Sequence, residues 1–150
     1  MADIELRSPA FADHDRIPAR HAKEEDNLSP ALEWGDVPDG TAELAVTCED
    51  PDAPGGTFVH WVMAGLEPTR RGLAEGETPA EAAVGVNDYG EQGYGGPRPP
   101  VGDDAHRYFF RVHATSEPLS FRSGGSLEEL RQALSGRELA SGTLVGTYQR

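Results

Sequence analysis

The segment that most constrains the fold of this chain is His106–Thr115, HRYFFRVHAT, because its side chains alternate strictly along ten residues. Successive side chains of a β-strand point to opposite faces, so alternation of this kind predicts a strand with one buried face. The face expected to point into the core carries His106, Tyr108, Phe110, Val112 and Ala114. Any fold of this chain must therefore place a sheet over a hydrophobic core.

Other segments extend this picture. Residues 42–48 alternate like a half-buried strand, and Phe58–Leu66 is apolar on both faces, as expected of a strand covered on both sides. Residues 126–134 begin with a capping box and repeat leucine at helical spacing, and residues 143–148 return as a short strand. We therefore predict a mainly β, antiparallel sandwich with one or two short helices, forming a single domain over residues 1–150.

Charge excludes several functions. With 26 acidic against 13 basic side chains the formal net charge is -13, which disfavours nucleic acid and anionic membrane surfaces as partners. Lys23 is the single lysine and the other basic residues are arginine, a balance that fits either a salt-loving host or a high-GC genome. Cys48 is alone, so no internal disulfide or cysteine zinc site can form.

The N-terminus lacks the basic and apolar regions of a signal peptide, and no apolar stretch is long enough to cross a membrane. We expect a cytoplasmic protein without stable membrane insertion.

Two loops rich in Gly and Pro mark the expected functional region. Residues 50–56 read DPDAPGG and residues 90–102 read GEQGYGGPRPPVG, and each loop leads into a strand with a histidine near its start. Long loops in compact domains are often functional. The candidate site residues are Asp50, His60, His106 and Tyr108.

Several interpretations of these residues remain open. One Asp and two His could form a metal site, whereas Ser29 and Ser141 lack the setting of a hydrolase nucleophile. His60 could equally be a core histidine that bonds a backbone carbonyl. We expect Cys48 to fill the core, Tyr89 and Tyr94 to pack within their loop, and three histidines to lie on the surface. These are His14, His21 and His113.

The segments CEDPDAPGGTFVHWVMAGL and NDYGEQGYGGPRPPVGDDAHRYFFRVHA resemble the two signature stretches of the phosphatidylethanolamine-binding protein family, also called the Raf-kinase-inhibitor-protein-like family. The bacterial and archaeal branch is the most similar, and NLSPALEW and LVGTYQR extend the resemblance over essentially the whole chain. The resemblance implies a β-sandwich with a small pocket at one end that binds phosphate, acetate-like anions or a phosphorylated head group.

Carried over position by position, the resemblance implies that the pocket is lined by Asp50, Pro54, His60, Gly96, Pro97, Pro99, Pro100, His106 and Tyr108. The Ala53–Pro54 bond is a candidate cis peptide. Arg98 stands where prokaryotic relatives often carry Cys, and we expect its side chain to point to solvent.

The chemistry of these residues agrees with an anion site. Imidazolium N–H groups, a tyrosine hydroxyl and backbone amides of a glycine loop can all donate to an anion. Asp50 fits such a site if it holds a histidine in its charged form, which would make the pocket cationic.

We therefore expect a non-catalytic protein that binds a small phosphate-like anion, as a monomer or homodimer and without an organic cofactor or metal. A metal-dependent hydrolase or lyase using the same Asp and His residues is one alternative. A regulatory protein that inhibits an enzyme partner is the other.

Overall fold

The computed structural model describes residues 2–150 of the chain. The strands are β1 (Ala2–Asp3), β2 (Leu6–Arg7), β3 (Leu32–Trp34), β4 (Glu43–Asp50), β5 (Phe58–Leu66), β6 (Gly72–Leu73), β7 (Ala83–Val84), β8 (His106–Thr115) and β9 (Glu138–Tyr148). A 3₁₀ turn at Ala19–His21 and the helix α1 (Leu127–Leu134) complete the regular structure of this part of the chain.

The strands form two sheets. The larger has the order β1-β9-β8-β4-β5-β7 and the smaller β2-β3-β6. Every pair is antiparallel except β1 with β9, which run parallel. Apolar side chains of both sheets share one core, in which Leu32 and Trp34 of the small sheet join Phe110 and Met63 of the large one. The predicted mainly β architecture with a short helix is confirmed.

The outer face of the large sheet is covered by α1. Leu127, Leu130 and Leu134 of this helix pack with Val62 and Ala64 of β5 in a second apolar cluster. Trp61, Met63 and Leu66 of β5 belong to the main core. Burial on both faces explains why β5 shows no polar alternation.

β8 has the predicted alternation, since the five residues of its expected core face are buried and the intervening ones are exposed or half-buried. β9 is longer than predicted, beginning at Glu138 instead of residue 143. The additional residues include Gly142, a residue type that is depleted in strands, and Gly142 lies where Ile4 crosses the strand. A Cβ at position 142 would come within 2.1 Å of the Ile4 carbonyl oxygen.

Candidate functional site

Three strand ends meet at one edge of the large sheet. β4 ends at Asp50, which is paired with Phe58 at the start of β5, and the next strand on the other side of β4 is β8, which begins at His106. The antiparallel pairing thereby brings the two Gly- and Pro-rich loops together. They enclose a pocket of 190 Å³ lined by Asp50, Ala53, Pro54, Phe58, His60, Tyr89, Arg98, Pro99, Pro100, His106 and Tyr108.

Seven of the nine predicted site residues line this pocket, and two do not. Gly96 and Pro97 lie behind the lining, where both are buried. A Cβ at Gly96 would come within 2.0 Å of the His21 carbonyl oxygen, so this glycine allows two backbone segments to pack closely. The candidate cis bond is wrong, because residues 2–150 contain no cis peptide.

His106 is held by two carboxylates. Its Nδ1 lies 2.7 Å from Asp50 Oδ2, and its Nε2 lies 3.1 Å from Asp103 Oδ2. Burial disfavours the charged ring, but the hydrogen bonds to Asp50 and Asp103 outweigh it and raise the pKa of His106. The imidazolium form, donating both N–H groups, is therefore favoured, as expected of a histidine steadied by Asp50.

His60, in contrast to His106, is favoured in its neutral form. Its Nδ1 lies 2.6 Å from the Gly95 carbonyl oxygen, which can only accept a hydrogen bond, so Nδ1 carries the proton. Burial lowers the pKa of His60 despite that bond. The neutral ring leaves Nε2 as an acceptor. His60 thus combines the two interpretations of the sequence, since it bonds a carbonyl and also lines the pocket.

The hydroxyl of Tyr108 differs from the other polar groups of the pocket in its hydrogen bonding. Its ring is buried 5.1 Å from that of His60, measured between centroids, in an edge-to-face arrangement. Its hydroxyl oxygen is buried and makes no hydrogen bond of ordinary length and angle within residues 2–150, and Asp50 is near enough for a weak contact only. Burial and then the nearby charge of Asp50 raise the pKa of Tyr108 far above its ordinary value, so the hydroxyl keeps its proton. Buried polar groups are nearly always paired, so this hydroxyl is a candidate donor to a ligand oxygen.

The backbone amides of the glycine loop do not serve the pocket as predicted. The amide of Gly95 donates to the His60 carbonyl at 2.9 Å, and that of Gly96 donates to Asn27 Oδ1 at 2.8 Å. The first bond holds the loop against β5, and the second holds it against Asn27. Neither amide is therefore free to bond a ligand.

Arg98 lies at the mouth of the pocket. Its side chain is exposed, as expected, but it also lines the cavity and donates from Nε to Glu24 Oε1 at 2.9 Å. Arg150 donates to the other oxygen of Glu24 at 2.8 Å. Within the lining, the charged His106 is paired with Asp50, whereas Arg98 is paired with Glu24, which lies outside the lining. The charged side chains of the lining therefore sum to one positive charge.

Three aromatic or histidine predictions need correction. Tyr89 does more than pack in its loop, because it lines the pocket and donates to the Gly96 carbonyl at 2.7 Å. His21 is fully buried, with Nδ1 2.7 Å from the Leu28 carbonyl oxygen, because the segment before Asn27 folds under the glycine loop. His113 is largely buried against Glu138. His14 is exposed as predicted, and Cys48 is buried in the core.

Sequence reasoning missed Phe58, Ala53 and Asp103. Phe58 opens the strand that carries His60, so the two-residue period of β5 placed both on one face and could have identified it. Asp103 lies three residues before His106, within reach of its ring, but the sequence does not show the direction of the side chain.

Residues 2–150 contain no group of three or more His, Cys, Asp or Glu side chains arranged to hold a metal ion. No helix in the described part of the chain is long and apolar enough to span a membrane.

Comparison with known proteins bears on this geometry. Residues 7–149 match the sequence model described as phosphatidylethanolamine-binding protein. The chain belongs to this family. A UPF0098 protein of Methanothermobacter thermautotrophicus is 40% identical over 98% of this chain and 99% of its own length.

The chain also has a fold very similar to that of a solved member of the family. The crystal structure of Escherichia coli YbcL, titled a new member of the mammalian PEBP family, superimposes with a TM-score of 0.93 at 29% identity and covers 99% of both chains. LppC of Mycobacterium tuberculosis, which is named as a lipoprotein, is 37% identical over 97% of this chain and 72% of its own length. The resemblance noted in the sequence is confirmed.

Proposed function

We propose that the pocket binds a small anion, phosphate or a phosphorylated head group, and that it does so without catalysing a reaction. The observation that carries the proposal is the unpartnered, protonated hydroxyl of Tyr108, which lines the same pocket as the charged ring of His106. A phosphate group offers several acceptor oxygens, so it can satisfy a hydroxyl and an imidazolium together. A pocket of 190 Å³ suits a group of this size.

The remaining lining residues support the same ligand. His60 Nε2 accepts, so it suits the O–H of a monoprotonated phosphate. Arg98 adds a cation at the mouth, which can contact the outer part of a head group. The pocket also has apolar walls, which exclude water and strengthen these polar contacts. They are formed by Phe58, Pro54, Pro99 and Pro100.

The side chains that could act as nucleophiles lie elsewhere, which supports binding instead of catalysis. Ser29 and Cys48 are buried and are absent from the lining. Burial raises the pKa of the Cys48 thiol well above its ordinary value, and the charges of Glu49 and Asp50 add to the effect, so the reactive thiolate is disfavoured.

Isothermal titration calorimetry with inorganic phosphate from about pH 5.5 to about pH 8.5 tests the proposal. We expect the affinity for the phosphate dianion, corrected for the ionisation of phosphate itself in this range, to fall as pH rises through the raised pKa of His106, because the ring then loses the charge that attracts the anion. Affinity that stays constant over this range, or no heat of binding at any pH, would contradict it.

A matched pair of variants locates the binding. Tyr108→Phe should weaken phosphate binding about tenfold, because the donor to the anion is lost. Tyr94→Phe removes a hydroxyl that donates to the His21 carbonyl at 2.9 Å, outside the pocket lining, and should leave the affinity unchanged. Equal affinity of wild type and Tyr108→Phe would place the anion elsewhere.

A further inference from the structure

Both N–H groups of His106 already have acceptors within the protein. Asp50 accepts a hydrogen bond from Nδ1 at 2.7 Å, and Asp103 accepts one from Nε2 at 3.1 Å. An imidazolium has only these two strong donors. An anion that bonds this ring must therefore displace one of the two carboxylates.

The two carboxylates differ in how firmly they are held. The Asp50 side chain is 4% exposed, and its other oxygen accepts from the Asp52 amide at 2.7 Å. The Asp103 side chain is 42% exposed, and the bond to His106 is the one hydrogen bond that its carboxylate makes within residues 2–150. Asp103 can therefore leave the ring and become hydrated, whereas Asp50 cannot.

The backbone around Asp103 is fixed, so a side-chain rotation is sufficient for this exchange. The Asp103 amide donates to the Pro100 carbonyl at 3.2 Å, and the Asp103 carbonyl accepts from Gln149 Nε2 at 3.0 Å. The loop that lines the pocket keeps its position while the carboxylate turns away.

We propose that Asp103 is an internal competitor for the anion site and determines which anions bind, favouring phosphate and phosphomonoesters over monocarboxylates. This inference rests on the proposed anion-binding function. In the free protein the Asp103 carboxylate occupies the donor that the ligand would use, and binding exchanges one ion pair for another.

The exchange discriminates by charge and by number of acceptors. When a monocarboxylate binds, its carboxylate replaces that of Asp103 at His106, so the ion pair with His106 becomes no stronger. The displaced Asp103 carboxylate remains nearby and repels the bound anion. A phosphomonoester carries more than one negative charge near neutral pH and has three strong acceptor oxygens. It can therefore bond His106 more strongly than Asp103 does and reach the unpartnered Tyr108 hydroxyl as well.

Calorimetric titration of the full chain with inorganic phosphate and, separately, with acetate at about pH 7.5, where most of the phosphate is doubly charged, tests this role. Asp103→Asn keeps the size of the side chain and removes its charge, and Asp103→Ala removes the acceptor. Asp104→Asn is the matched control, since Asp104 is an exposed neighbouring carboxylate and, unlike Asp103, makes no hydrogen bond to His106.

We expect both Asp103 variants to bind phosphate about tenfold more tightly than wild type, and Asp103→Ala at least as tightly as Asp103→Asn. The increase in affinity should be larger for acetate than for phosphate, so the ratio of phosphate affinity to acetate affinity should fall in the Asp103 variants. Asp104→Asn should match wild type. Because Asp103 is partly exposed, all three variants should fold, which circular dichroism can verify.

The outcomes separate this inference from the proposed function. Phosphate binding by wild type that is unchanged in both Asp103 variants would overturn the role of Asp103 alone. An equal gain in Asp104→Asn would do the same, because it would indicate a general effect of net charge. No binding by wild type or by any variant would overturn the proposed function itself.

Discussion

At the scale of single residues, the Tyr108 hydroxyl separates function from stability. A buried hydroxyl without a partner costs about 1 to 3 kcal/mol of unfolding free energy, and Phe has the same shape without that group. We expect Tyr108→Phe to raise the free energy of unfolding by about 1 kcal/mol in urea denaturation, measured without phosphate. Tyr94→Phe breaks an existing hydrogen bond and should lower it. A destabilised Tyr108→Phe would show that the hydroxyl has a structural partner.

The histidines give stability a defined dependence on pH. The raised pKa of His106 adds stability that is complete below the ordinary histidine pKa and is lost as pH rises through the raised value. Burial lowers the pKa of His60 and of His21, so their contribution is present above that ordinary value and lost as pH falls. Urea unfolding from about pH 5 to about pH 9 should show a maximum near the ordinary histidine pKa.

His106→Gln should remove the loss of stability on the alkaline side and leave the loss on the acid side. His14→Gln, at an exposed position, should retain the full profile. A wild-type profile that rises steadily to alkaline pH would contradict the charged state assigned to His106.

Which residues meet at the site was predictable from the sequence, but their hydrogen bonds were not. Loop composition and strand alternation indicated Asp50, His60, His106 and Tyr108, because each lies at or near a strand end. The amides of Gly95 and Gly96 donate to His60 and Asn27, which are distant in sequence. These bonds follow from the folded path of the loop, which no local pattern shows. The orientation of Asp103 depends in the same way on surroundings that no local pattern encodes.

At the scale of elements, α1 stabilises the sheet without taking part in the site. Ser126 Oγ accepts from the Glu129 amide at 3.1 Å, as the capping box predicted, and no residue of α1 lines the pocket. Ser126→Ala should lower the free energy of unfolding by about 1 kcal/mol. Ser135→Ala at the other end of the helix is the control. Phosphate affinity should be equal in both variants, and a change in Ser126→Ala would show that the helix influences the pocket.

The bounds of two long strands were predictable from the sequence, whereas the shortest strands were not. β8 alternates over 10 residues, and β5 is an uninterrupted, largely apolar segment of 9 residues. β1, β2, β6 and β7 have two residues each, too few for a period to show. The predicted β9 was too short, because the sequence does not show why a strand would contain Gly142. The structure does: Ile4, which is distant in sequence, crosses the strand at this glycine.

At the scale of the whole molecule, the net charge of -13 should make stability depend on salt. Carboxylates outnumber cations two to one, so many of them repel one another, and the screening length falls from about 10 Å at 0.1 M salt to about 3 Å at 1 M. We expect the urea midpoint to rise between these concentrations of KCl. A falling midpoint would show that the surface ion pairs, which salt also screens, contribute more than the repulsion.

The most direct test of the account is a crystal structure of the protein grown without phosphate and then soaked in it. We predict a phosphate in the pocket, within hydrogen-bond distance of the Tyr108 hydroxyl and His106 Nε2, with the Asp103 carboxylate turned away. An empty pocket in a crystal whose pocket mouth is open to solvent, or phosphate bound only at other sites, would contradict it.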